Sequence, residues 1–325
     1  MTKEEIKTLI DSGIQKVSNS RVGSYLSCPC KHYFGYVMGL RSKKPARPLS
    51  FGGDFHKLLE HRSDKAALKE AVSTIRTTYN KAPLSTQTEL GETYLDDLKV
   101  VFQDYQKVYK NAQLPVETEH EFLVPMGEFK GKPIYFHGII DEIYDGLLLG
   151  EHKTFNQRPD MSILAMNMQV CLYAKAWEIE TGEKLQRVRW DYIKSVQAKY
   201  PIWLEKSSRF SEAANEGITQ YSWERACKAR GITLGEIIHK GTNYAQNISN
   251  FFFRCDMDIV PNMVDTVWDD FTATVMDLFT RGDTNKVKNI SKDCSWCGYR
   301  PICYAEFTGA DTAYIIKKDY EVKPK

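Results

Sequence analysis

Apolar and polar positions alternate most clearly between Glu119 and Phe155. There HEFLVPM, PIYFHGIIDEIYD and LLLGEHKTF read as three successive strands. Period-two alternation bounded by turn residues marks half-buried strands, and Asp145-Gly146 marks the turn between the last two. RVRWDYIKSV predicts a further strand and YPIWLE another. Elsewhere the period lengthens toward that of a helix. Residues 161–180 predict one amphipathic helix, residues 64–112 a largely helical insertion with a loop at Pro83, and residues 258–281 a long helix. From Ser211 the chain returns to helices, interrupted by a short FFFR strand. Residues 20–40 look helical but contain Pro29. Proline suits a first helical turn and is costly later, so two short helices should meet at Cys28-Pro29. Residues 1–18 read as a short helix or arm, residues 41–48 as a Pro/Lys/Arg-rich linker, and Gly52-Gly53 as the step opening a helix that carries His56. Strands flanked on both sides by helices predict an α/β or α+β core.

Composition changes this picture little. The chain has 325 residues, 42% hydrophobic and 26% charged, which excludes collagen-like, coiled-coil and wholly disordered classes. Lys+Arg 44 against Asp+Glu 42 gives a formal charge of +2. That balance excludes a polybasic protein but not a nucleic-acid groove built from local clusters. No apolar run is long enough to span a bilayer and no secretory leader pattern opens the sequence, so the expectation is a soluble, cytoplasmic protein.

The chemistry-bearing residues centre on the second hairpin. Asp141 ends the run GIID, and Glu151-His152-Lys153 follows ten residues later. On a strand Glu151 and Lys153 point to the same side. Two carboxylates and an ammonium at a strand edge can hold a hard divalent cation beside a fixed positive charge, a set suited to phosphodiester hydrolysis. Glu-x-Lys alone is more often an exposed strand face with an ordinary ion pair. Register also matters: a two-residue Asp145-Gly146 turn would set Asp141 against Gly150 and put Glu151 on the opposite face. A joint site for Asp141 and Glu151 requires a three-residue loop or a bulge.

Four motifs stand in a fixed order: Gly52-x-x-x-His56, Gly138-Ile-Ile-Asp141, Glu151-His-Lys153 and Gln169-x-x-x-Tyr173. In that order the chain resembles the PD-(D/E)XK nucleases, and within them the RecB-type exonucleases, including the CRISPR-associated exonuclease and its phage relatives. The resemblance implies a restriction-endonuclease-like core with a mixed central sheet and helical insertions. It implies that His56, Asp141, Glu151 and the main-chain carbonyl of His152 hold Mg²⁺ or Mn²⁺. Lys153 would be the catalytic lysine, and Gln169 and Tyr173 would support the lysine region and the DNA backbone. The organisation expected is N-terminal helices in 1–48, a nuclease core in 49–205 with its insertion at about 64–112, a helical part in 206–290, a cysteine loop in 291–305 and a tail in 306–325.

Cysteines cluster at opposite ends: Cys28 and Cys30 early, then Cys294, Cys297 and Cys303 late. Three thiolates from one loop need a fourth. Cys28 is the candidate because Pro29 opens a helix behind it, whose N–H groups favour a thiolate, and Cys30 is its rival. Four thiolates suit tetrahedral zinc or an iron–sulfur cluster, and spacing does not choose between them. The resemblance implies a [4Fe–4S] cluster on Cys28, Cys294, Cys297 and Cys303, shielded by Trp296, Tyr299 and Pro301.

Two surface patches are candidates for DNA contact: the basic run Arg41 to Arg47, and Arg187, Arg189, Trp190 and Tyr192 as a stacking groove. The leading expectation is a Mg/Mn-dependent DNA exonuclease acting on single strands or DNA ends. The resemblance implies a phage-type enzyme serving replication, recombination or repair with a partner protein. The alternatives are a DNA-gripping scaffold with weak cleavage and a zinc-stapled endonuclease.

Overall fold

The computed structural model describes residues 1–44, 46–211, 216–233 and 243–323. At its centre lies a mixed six-stranded sheet. Strand β4 (Lys132–Tyr144) is the pivot. Along one edge it pairs antiparallel with β3 (Glu117–Phe129). Its other edge is shared: β1 (Gln15–Val17) joins in parallel at Ile134 to Phe136, and β5 (Leu148–Phe155) joins antiparallel at Glu142 to Tyr144. Beyond β5 come β6 (Arg187–Lys194), parallel to it, and β9 (Phe252–Asp258), antiparallel to β6. The parallel step from β5 to β6 is made through helices α8 (Met161–Ala165) and α9 (Met168–Thr181), as such crossovers require.

Apolar residues cover both faces of the sheet. On one, Val170, Leu172 and Ala176 of α9 and Phe271, Val275 and Leu278 of α12 (Pro261–Arg281) pack with Phe122, Phe136, Ile140 and Trp190. On the other, Phe51, Phe55 and Leu59 of α4 (Arg47–Glu60) and Leu98, Val101 and Tyr105 of α7 (Tyr94–Val108) pack with Ile193 and Phe252. The inserted lobe is helical as expected, with α5 (Lys65–Lys81) and α6 (Leu84–Leu90) preceding α7. The Cys28-Pro29 junction is also as expected, lying between α2 (Asn19–Ser27) and α3 (Pro29–His32).

Several expectations need correction. The region 161–180 is two helices, because Asn167 leaves the helix to cap α9, its Oδ1 accepting the Val170 N–H at 3.3 Å. Nor is α9 amphipathic, since its buried residues run consecutively from Val170 to Ala174. Helix α4 begins at Arg47, so Gly52 and Gly53 lie inside it. At Gly52 a Cβ would stand 3.3 Å from Thr154 Oγ1, and the missing side chain lets α4 lie close against β5. YPIWLE yields only Trp203–Leu204, paired with Arg209–Phe210 apart from the main sheet. Helices expected after Ser211 are found at Gln220–Arg230 and Tyr244–Ser249, while residues 212–215 and 234–242 fall outside the described residues.

The expected tail in 306–325 also carries regular structure. Helices α13 (Arg300–Thr308) and α14 (Thr312–Asp319) lead into β10 (Tyr320–Val322), which pairs antiparallel with β2 (Leu40–Ser42) inside the expected linker. The basic run is largely engaged in internal contacts. Arg47 binds Asp97 and the Leu90 carbonyl, Arg41 the Gly35 carbonyl, and Lys43 the Lys317 carbonyl. The proposed stacking groove on β6 is absent as well: Trp190 is 0% exposed, and Arg189 makes a bidentate pair with Asp256. Among the described residues no helix is long and apolar enough to cross a membrane.

Candidate active site

The β4–β5 loop holds three residues, Asp145 to Leu147, and the ladder pairs Glu142 with Gly150, Ile143 with Leu149 and Tyr144 with Leu148. This register sets Asp141 opposite Glu151, the arrangement a shared site requires. Gly146 and Leu147 both take left-handed backbone conformations, φ 79° and 57°. Glycine does so freely, whereas leucine is strained there and is held by packing against the main core. Gly150 is constrained too: a Cβ would come within 2.8 Å of the Tyr144 ring and 2.9 Å of Glu142 Cβ.

Backbone pairing stops at Glu142–Gly150, and one step on the Asp141 carboxylate accepts the His152 N–H at 2.7 Å. Glu151 is 1% exposed. Its Oε1 accepts from Lys153 Nζ and, at 2.9 Å, from Gln169 Nε2, while Gln169 Oε1 accepts from Lys153 Nζ at 3.1 Å. Glutamate, lysine and glutamine thus form a closed triangle, with Gln169 fixed on the first turn of α9. Glu151 Oε2 is buried with no hydrogen-bond partner. Tyr173, one turn further along α9, is 8% exposed, its ring edge-on to Phe122. Burial pushes its phenol well above the usual tyrosine range, and Gln169, Glu151 and Asp141 are its charged and polar neighbours.

His56 reaches the site from α4, its Nδ1 lying 3.4 Å from Asp141 Oδ1. A further carboxylate comes from a residue that the sequence motifs did not include. Glu119 on β3 has φ 51°, and its carboxylate, His56 and Asp141 place donor atoms within 4.8 Å of one another.

The electrostatics follow from burial and from crowding of like charges. Burial and the Asp141 charge push the Glu151 carboxyl up to about 7, against the opposing pull of Lys153. Burial and Asp141 likewise raise Glu119 to about 7. Burial disfavours the charged form of Asp141, but His56 and the His152 N–H outweigh it and hold the group below the usual carboxylate range. Burial opposes the His56 and Lys153 cations also, and Asp141 and Glu151 respectively more than offset it.

Beneath the hairpin lies a second charged cluster. The His152 ring sits 3.1 Å from Glu142 and 3.4 Å from Asp191. Arg62 pairs with Glu142, Arg254 with Asp191 at 2.6 Å, and the Tyr144 and Tyr105 hydroxyls donate to the two carboxylates. Burial would neutralise His152, but Glu142 and Asp191 outweigh it and raise the imidazole to about 10. Nothing in the sequence pattern singled out this side chain.

A sequence model of the PD-(D/E)XK nuclease superfamily matches residues 16–304. The chain belongs to the PD-(D/E)XK nuclease superfamily. No match was found among curated proteins. Among solved structures, this nuclease is similar to a Eubacterium rectale protein named provisionally as an exonuclease, at 10% identity and TM-score 0.48, covering 96% of this chain and 99% of that one. It is also similar to SSO0001, at 13% identity and TM-score 0.30, covering 87% and 92%.

Members of the superfamily use divalent metals, and the residues present here fit one: hard oxygen donors, an imidazole and the unpartnered, buried Glu151 Oε2. Elsewhere in the nuclease, Cys28, Cys294, Cys297 and Cys303 all line one cavity of ≈ 450 Å³. Cys30 stands apart from that lining, buried with Phe34, Leu40, Ile302 and Tyr320. Burial and the neighbouring Cys303 push its thiol up to about 12. Of the three expected shielding residues, Trp296 and Tyr299 also line this cavity, although Trp296 is 92% exposed, while Pro301 is exposed and does not line it.

Proposed function

We propose that this nuclease is a Mg²⁺- or Mn²⁺-dependent deoxyribonuclease that digests DNA from ends or along single strands. The observation carrying the proposal is the Glu151–Lys153–Gln169 triangle set across from Asp141, with one buried Glu151 oxygen left free. His56, Asp141, Glu151 and the His152 carbonyl would hold the cation, which when bound polarises a phosphoryl oxygen and makes water a stronger acid. The protein's part is positional. The Asp141–His152 contact fixes the hairpin, and Gln169 and Glu151 fix the Lys153 ammonium where it can donate to a phosphate.

The second part of the proposal is a [4Fe–4S] cluster held by Cys28, Cys294, Cys297 and Cys303. The shared cavity supports it. Its role would be structural, joining the early helices to the late cysteine loop. In cells the enzyme would serve phage-type replication, recombination or repair.

The test is digestion of 5′- or 3′-labelled single strands by anaerobically purified protein, with Mg²⁺, Mn²⁺ or EDTA, beside Lys153→Ala. Metal-dependent laddering from one end, lost in the variant, is the expected result. Intact DNA under every condition would leave a DNA-gripping scaffold as the better reading.

A further inference from the structure

We propose that the nuclease carries an anion site, separate from the hairpin carboxylates, that takes a phosphate group. The site is a cavity of ≈ 180 Å³ between α7, the loop that follows it and the charged cluster around His152.

Side chains at successive strand positions point to opposite faces, so the His152 cluster lies on the face of β5 turned away from Glu151 and Lys153. There Arg62 and Arg254 line the cavity, together with Lys110, Gln106, Gln113 and Tyr109. Three of these side chains are cations, and among the described residues no acidic one lines the cavity. Two guanidiniums and an ammonium around one small space repel one another, and an anion between them offsets that repulsion.

Glu142 and Asp191 hold the two guanidiniums from the sheet without using all their donors. Arg62 spends only Nη1, on Glu142 and on the Leu59 carbonyl at 3.4 Å. Arg254 spends only Nη2, on Asp191 at 2.6 Å and on the Tyr105 hydroxyl at 2.9 Å. Among the described residues the other N–H groups of both arginines, and the Lys110 ammonium, have no partner. Arg254 is also fixed in place, its guanidinium 3.7 Å over the Tyr109 ring. A guanidinium held by stacking keeps its fork aimed, which favours planar recognition of phosphate oxygens.

Size and donor number choose the ligand. Pockets for whole small molecules run about 300–1,000 Å³, whereas a cavity of about 150 Å³ holds something the size of benzene. The cavity therefore admits a phosphate group and leaves any attached nucleoside outside. Its arginine, lysine and amide donors exceed what the two oxygens of a carboxylate need and suit a tetrahedral oxyanion. Free phosphate and the phosphorylated end of a DNA strand present the same chemistry to these donors.

Inorganic phosphate is the probe, titrated by calorimetry into the full-length protein in EDTA, which keeps divalent cations away from the hairpin. Wild type should bind one phosphate per chain. Gln106→Glu places a carboxylate on the cavity wall and should weaken binding roughly tenfold or more. Lys110→Gln removes a charged donor and should weaken it about tenfold. Both positions are exposed, and should Gln106→Glu lose cooperative melting, Lys110→Gln decides alone. No binding by wild type, or binding unchanged in Lys110→Gln, overturns the proposal. Terminally phosphorylated and unphosphorylated oligonucleotides then compete for the bound phosphate. Displacement by the phosphorylated strand alone supports the site as a grip on strand ends, and displacement by neither supports it as a site for the free anion. Neither cleavage nor bound metal enters these readouts. Protein that cuts DNA but binds no phosphate sinks only this proposal, and protein that binds phosphate but cuts nothing sinks only the nuclease reading.

Discussion

Asp141 and His152 are joined by a carboxylate-to-main-chain hydrogen bond of 2.7 Å at the point where the β4–β5 ladder ends. A residue proposed to bind metal therefore also clasps two strands, and the two roles can be separated. In Asp141→Asn the side-chain oxygen still accepts the His152 N–H. That variant should melt within about 0.5 kcal/mol of wild type, while cleavage falls roughly 10²-fold or more. Asp141→Ala loses the clasp too and should cost about 1–3 kcal/mol, because a backbone donor is left unpaired. Urea unfolding beside the cleavage assay reads both quantities.

The hairpin loop sets the register, so its length should control the site. Deleting Leu147 leaves a two-residue Asp145-Gly146 turn and moves Asp141 opposite Gly150. Mn²⁺ binding and cleavage should both disappear. Replacing Leu147 with glycine, which relieves its positive φ, should preserve both. Titration with Mn²⁺ checks the pair.

Cys28 and Cys30 should behave differently. Cys28 lines the cavity shared by the late cysteines, whereas Cys30 sits in the apolar cluster behind it. Cys28→Ser and Cys297→Ser should abolish iron content and visible absorbance in anaerobic preparations. Cys30→Ala should keep both and lose only packing stability, on the order of 1 kcal/mol. Iron analysis and a visible spectrum decide it, and zinc in colourless wild-type protein would count against the cluster.

Arg254 neutralises Asp191, which is buried beside His152. Removing one partner of a buried ion pair strands the other, so Arg254→Met should cost about 3 kcal/mol. Adding Asp191→Asn should recover part of that loss. A double-mutant cycle in urea measures the coupling.

His32 is buried, with its Nε2 accepting from Arg21 at 3.3 Å and its ring stacked on Tyr36. Burial, and then the Arg21 charge, lower it from 6.5 to about 4. The unfolded chain therefore binds a proton that the folded chain refuses between those two values, and stability rises with pH across the window. Its contribution is complete above about pH 6.5 and is lost as the pH falls toward 4. Unfolding curves of wild type and His32→Gln should differ in slope within that range and run parallel above it.

The sequence made the hairpin, the inserted helical lobe and the Cys28-Pro29 junction legible because each depends on local pattern or on proline geometry. His56, Asp141, Glu151, Lys153 and Gln169 come together as their motif order implied. Glu119 was hidden by a register shift. From the Lys130-Gly131 turn, the β3–β4 pairs Phe129–Lys132 to Gly127–Ile134 would lead Glu119 to face Glu142. An irregularity between Pro125 and Gly127 moves the pairing by one residue, after which Thr118 pairs with Glu142 and His120 with Ile140, setting Glu119 against Asp141. Nothing in the residue pattern announces that shift. The charges around His152 were invisible for a related reason, since Arg62, Glu142, Asp191 and Arg254 are far apart in sequence and each looks like an ordinary surface residue. β10 was missed because three residues paired with a distant strand carry little period of their own.

That short pairing has a consequence for how the chain assembles. Leu40 accepts the Tyr299 hydroxyl across 259 positions of sequence, and Tyr320 is buried in the same lobe as Cys30 and Phe34. Closing so long a loop is entropically unfavourable until the intervening sheet has brought its ends together. The early helices therefore lack their partner surface while most of the protein is being synthesised. Their thiols stay open to oxidants and stray metals until residues 291–322 emerge and dock. On a ribosome, the piece that completes the first lobe arrives long after the helices it covers.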